Sequence, residues 1–290
     1  MDIDAFAVIV KASAYAALLH ASGIALFLAL FEVRLDISGA AIRRLGVASA
    51  VIGLLMVIAS YGLEAGRMAG DFGGVIDYEM QRRLARMPVA AATSVRVFGA
   101  LALISAFVWK AGESKALSVI GATAVAGSFL LIGHSVSHEP RWALVSLLLL
   151  HLLVAAFWIG SIAPLILVAR KEPAAIAHQV VERFSVLATA LVPAMALAGL
   201  AMAWLLIGAH YSIRDPFSAS LTSKFALLIV ALSLASLNRT RLGPALRDGT
   251  ATAVRRFTFS LAIELAVLLS IVVVTVAMTT LFSPPMAGTS

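Results

Sequence analysis

The sequence predicts an all-α, polytopic membrane protein built as an eight-transmembrane-helix bundle, and two observations carry that prediction. Hydrophobic residues make up 61% of the 290 and charged residues only 13%, whereas a soluble domain carries about 25% charge; the mean hydropathy is +1.01. The apolar residues also fall into eight runs, each able to cross a hydrocarbon core roughly 30 Å thick at ~1.5 Å per helical residue. Because unpaired backbone groups are costly in lipid, and the runs are far longer than a barrel strand, each run is a helix. Short loops leave no soluble domain, so residues 1–290 form a single transmembrane domain.

In chain order the runs cover roughly 7–31, 45–66, 89–109, 116–137, 143–168, 184–208, 217–237 and 257–282. The opening "MDIDAFAVIV" has Asp2 and Asp4 where a signal peptide has basic residues, so the first run reads as a retained helix. Gly62 and Gly66 in the second run have the spacing of a close helix contact. Between the second and third runs, Ile76, Met80, Leu84 and Met87 recur at helical spacing among Asp77, Glu79, Arg82, Arg83 and Arg86. That pattern predicts a short amphipathic surface helix. Pro140 ends the fourth run, and "KEPAAIAHQVVERF" before the sixth reads as a loop carrying a solvated His178.

An even number of spans puts both termini on one side. With the termini outside, 13 Lys and Arg fall in internal loops and 8 on the outer side, with Arg96 left within a span. The positive-inside rule therefore favours external termini. The net charge of +7 does not imply nucleic acid, because the basic residues are scattered through loops and form no stripe with aromatics. No G-x-x-x-x-G-K-[ST] loop for ATP is present. With no cysteine, soft-metal chemistry must rest on His and Met.

Ionisable groups inside spans are expensive and mark functional positions. His134 and His138, four apart at the external end of the fourth helix, share one face and suit a metal held by two imidazoles. Lacking a Glu between them as general base, the pair is no zinc-hydrolase motif, and the chain reads as a non-enzyme. His151 lies roughly 12 Å below the outer surface on the fifth helix, by its eight-residue offset. His20 is near mid-membrane, as are Met195 and Met56, while Met202 belongs to the outer third of the sixth helix. Imidazole and thioether together suit Cu(I). Of the other charged positions, Glu64 is placed to join an external site, Lys11 to snorkel outward, and Glu264 to meet Arg239 or Asn238 rather than Lys224.

The run "GHSVSHEPRWALVSLLLLHLLVAAFWIGSIAPLILV" (133–168) resembles the signature of the CopD family of bacterial copper-resistance membrane proteins, in which a GH pair ends one helix and an LHLLAAAxWxGG pattern opens the next. Here Gly160 is followed by Ser161. The segments beginning "RFSVLATALVPAM", "LTSKFALLIV" and "RRFTFSLAIELAV" are similar to the family's later helices, so the resemblance covers 131–285. It implies an eight-helix inner-membrane protein with periplasmic termini that moves copper from periplasm toward cytoplasm, often beside a periplasmic carrier of the CopC type, here necessarily a separate protein. It carries over His134 and His151, with Trp158 and Gly160 as packing elements and Lys224, Asn238 and Glu264 as polar positions without an assigned role. On this reading copper, as Cu(I) within the membrane and Cu(II) or Cu(I) at the outer mouth, passes His134, His138 and His151, then Met202, Met195, Met56 and His20. A second reading is a b-type haem electron-transfer protein, with His20 and His151 or His134 and His151 as axial ligands. A third is a copper sensor or assembly factor without flux.

Overall fold

A computed structural model describes residues 2–109, 112–132, 140–207 and 211–282. Among these residues the chain is helical with no β-strand, and eight helices are long and apolar enough to cross a membrane. The helices are α1 (Ile3–Phe31), α2 (Gly39–Ala69), α3 (Tyr78–Leu84), α4 (Pro88–Val108), α5 (Gly112–Ser128), α6 (Arg141–Lys171), α7 (Ala174–Ile207), α8 (Pro216–Leu237) and α9 (Ala251–Leu281). All but α3 are spans.

The helix ends follow local chemistry. Gly70 closes α2 at φ 84°, a conformation that side chains with a Cβ resist. Asp77 caps α3, with its carboxylate accepting from the Met80 amide. Leu84 is fully buried while Ile76, Tyr78 and Met87 are exposed, so the predicted surface helix is present and shorter than its apolar pattern. The clearest departure is at the sixth span. His178 is not in a loop, because α7 starts at Ala174 and runs unbroken into the membrane. Its first ten residues are polar enough to lack an apolar signal yet contain nothing that stops a helix after Pro173. His178 is half-buried, with Nε2 3.4 Å from Arg247 Nη2.

At the centre, α1 packs against α2, α5, α6 and α9, while α6 also packs against α7 and α9. These two are the most buried spans. A Cβ at Gly160 of α6 would lie 2.5 Å from Gly23 Cα and 2.5 Å from the His20 carbonyl oxygen, both on α1. Backbone therefore meets backbone at this crossing, as small-residue interfaces in membranes allow. Gly99 of α4 and Gly121 of α5 make a second, looser crossing. Gly62 and Gly66, by contrast, face Val75, with Gly66 also near Ile3 and Asp71, so they receive mainly the turn after α2.

The helix ends are joined by buried polar contacts. Glu172, at the end of α6, accepts at Oε1 from the Ile37 and Ser38 amides and the Ser38 hydroxyl, at 3.1, 2.7 and 2.6 Å. One carboxylate thus tethers the start of α2 to the α6–α7 turn. Arg43 and Glu32 form an ion pair across the α1–α2 connection. At the other end, Arg67 bonds Asp4 at 2.7 Å and Glu64 at 3.3 Å. Glu64 is thus engaged by Arg67.

Candidate functional site

His151 projects from α6 toward α7. Its Nδ1 lies 3.0 Å from the Met195 carbonyl oxygen. A carbonyl only accepts, so Nδ1 carries the proton and the Nε2 lone pair is left available, the tautomer a metal ligand requires. Nε2 has no partner among the described residues. The ring also rests on Gly199, whose added Cβ would sit 3.2 Å from His151 Cε1. Met195, Gly199 and Met202 are spaced four and three apart, so Met202 extends the stripe of α7 that faces His151. Met195 is buried and Met202 half-buried.

His20 belongs to a different interface. From α1 its Nδ1 approaches the Ser49 hydroxyl of α2 at 2.9 Å. Ser49, Gly53 and Met56 again follow a four-then-three spacing, and Gly53 lies against Leu18 of α1. Met56 therefore shares the α2 face that holds His20. Each histidine faces a helix bearing a glycine and then a methionine at the same offsets.

The two rings do not face each other. The first and fifth spans run in the same direction, and they meet at Gly23 and Gly160. Relative to that crossing His20 is displaced three residues and His151 nine, an axial difference of roughly 9 Å at helical rise. One ring turns to α2 and the other to α7. A haem held between His20 and His151 has no support in this geometry. The alternative with His134, like His138, falls outside the described residues. Among the described residues, no three His, Cys, Asp or Glu side chains gather as a ligand cage.

Two turns along α6 from His151, the indole Nε1 of Trp158 donates to Glu264 Oε1 at 2.6 Å. Asn238 Nδ2 donates to Glu264 Oε2, also at 2.6 Å. Glu264 meets Asn238, as its depth predicts, and Trp158 is a hydrogen-bond donor as well as a packing element. The carboxylate is buried and has no cationic partner within 4 Å among the described residues. It lines a cavity of about 250 Å³ between α7 and α8, floored by α6 and α9, with Arg239 on its rim. His151 and Trp158 are seven apart on one face of α6, so that face connects the histidine to the carboxylate.

Two family models match the chain. Residues 178–278 match "Copper resistance protein D", and residues 1–141 match "Copper resistance protein D-like, N-terminal domain". His20, Met56, His134 and His138 fall within the second match, Met195, Met202, Asn238 and Glu264 within the first, and His151 and Trp158 between them. No curated protein and no solved structure matches.

Proposed function

The chain belongs to the copper resistance protein D family, and on that premise we propose that it carries copper across the bacterial inner membrane from the periplasm toward the cytoplasm. The observation that carries the proposal is the tautomer of His151. A backbone carbonyl holds Nδ1–H and leaves Nε2 uncommitted, on a ring packed against the α7 stripe that carries Met195 and Met202. Hydrogen bonding through the other ring nitrogen is the usual means of orienting a metal-binding imidazole.

On this reading His134 and His138 receive copper at the outer mouth, as Cu(I) or Cu(II). His151 takes it below the surface as Cu(I), with Met202 and Met195 as soft partners, and His20 with Met56 makes a second weak site between α1 and α2. Two- and three-ligand sites suit passage, since an ion must leave each site as well as reach it. The two-fold offset of histidine, glycine and methionine supports a pair of such sites better than a closed cage. The protein works without catalytic turnover and without ATP, with its termini in the periplasm and lipid around α8. A separate carrier of the CopC type delivers the ion. Copper uptake into sealed proteoliposomes holding the pure protein tests this directly. Uptake should be fast in the parent and absent in a His134→Ala, His151→Ala double variant; equal uptake in both would refute the site assignment.

A further inference from the structure

At the end of the bundle that carries the amino terminus, a cavity of about 190 Å³ opens between α1, α2 and α4. None of its polar lining residues belongs to the proposed copper path. Arg96 of α4 is 5% exposed, and its guanidinium, which stays charged in proteins, has no carboxylate within 4 Å among the described residues. Nε bonds the Ser128 hydroxyl at 3.0 Å, and the group is stacked near the rings of Phe129 and Tyr15, with centroids at 4.6 and 5.3 Å. Nη2 is buried with no hydrogen-bond partner among the described residues. Lys11 lines the same cavity and has no carboxylate partner among the described residues.

The rest of the polar lining is rich in donors. Ser60, Tyr61 and Thr93 line the cavity, and none of their hydroxyls is engaged by another described residue. Glu64 is the carboxylate in the lining, and Arg67 holds it. Arg67 is shared with Asp4, so these five ionisable groups together leave a single positive charge. A buried, unpaired charge is strongly unfavourable, and a partner ion removes the penalty. Aromatic faces reduce it without satisfying Nη2.

We propose that this cavity binds one small monovalent anion, a carboxylate or halide, between Arg96 and Lys11. The charge calls for one negative ion, the guanidinium supplies a charged donor for it, and the volume holds such an ion with a few waters of roughly 30 Å³ each. The inference is independent of copper movement. It is tested by thermal unfolding of the full chain, purified free of anionic lipid, in sodium formate against sodium gluconate at constant ionic strength. Formate fits the cavity and gluconate does not. The parent should show a saturable rise in Tm with formate, as binding to the native state requires. Lys11→Gln should weaken that response about tenfold, the loss of one charge-assisted hydrogen bond, Arg96→Gln should abolish it, and Arg82→Gln should leave it intact. If Arg96→Gln does not fold, Lys11→Gln alone decides. A parent indifferent to formate, an equal response in Lys11→Gln, or stabilisation by anionic phospholipid but not by formate would each overturn the proposal.

Discussion

The crossing of α1 and α6 offers the sharpest test of the packing, and Gly160→Ala is the perturbation. The added methyl carbon would fall 2.5 Å from both Gly23 Cα and the His20 carbonyl oxygen. Carbon atoms rest at about 3.5–4.0 Å, so the helices must part by roughly 1 Å, and backbone atoms cannot swing aside as a side chain would. A gap of that size forfeits a quarter to a half of each contact it touches. Overpacking costs about 1–3 kcal/mol in ordinary cores, and a backbone contact belongs at the upper end. Alanine returns up to ~1 kcal/mol of helix propensity, which leaves a net loss of about 2 kcal/mol. Gly127 supplies the control, since a Cβ there meets nothing within 4 Å among the described residues; Gly127→Ala should be neutral or stabilising. Reversible unfolding in mixed micelles reads both variants. A Gly160→Ala protein as stable as the parent, or a Gly127→Ala protein equally weakened, would refute the close crossing.

Glu172→Ala removes the acceptor for three donors at the start of α2 and should cost about 2–4 kcal/mol by loss of charge-assisted bonds, measured in the same unfolding assay. Glu264→Ala strands the Trp158 and Asn238 donors and should cost about 2–3 kcal/mol; adding Trp158→Phe to it should then cost much less than Trp158→Phe alone, which a double-mutant cycle detects. Single cysteines at Ser137 and Thr250 should label from the periplasmic and cytoplasmic sides respectively, and the reverse pattern would overturn the proposed orientation. His178→Ala should leave copper uptake unchanged, because that side chain lies against Arg247 on the loop after α8.

The number and order of the spans were legible because lipid demands long apolar runs, and all eight runs correspond to helices, although the fourth, expected to run to residue 137, leaves the helix by Leu131 because Ile132 is extended. That Glu264 meets the inner end of α8 was legible from depth, which left Arg239 or Asn238 as its partner; the fold selects Asn238. Contacts that depend on which helices become neighbours were not. Trp158 and Glu264 are 106 residues apart, and Glu172 and Ser38 are 134 apart; nothing local to either residue names its partner. The carbonyl of Met195 that orients His151 is a backbone group and leaves no trace in residue identity. Gly160 was visible as a small residue in a motif, but Gly23 stood among many small residues of α1, and only the fold selects it. The polar start of α7 was read as a loop because hydropathy reports lipid contact, and a helix emerging into water has none.

The central claim is that His151 is a copper ligand rather than a structural residue, and His151→Leu tests it most directly. The substitution removes one hydrogen bond to Met195, worth about 0.6 kcal/mol on average between membrane helices, so the variant should fold with nearly the stability of the parent. Cu(I) uptake into proteoliposomes, with Tm measured on the same preparation, should then show a stable protein that no longer moves copper. A His151→Leu protein that folds and transports Cu(I) at the parental rate would contradict the account and turn attention to His20 and Met56.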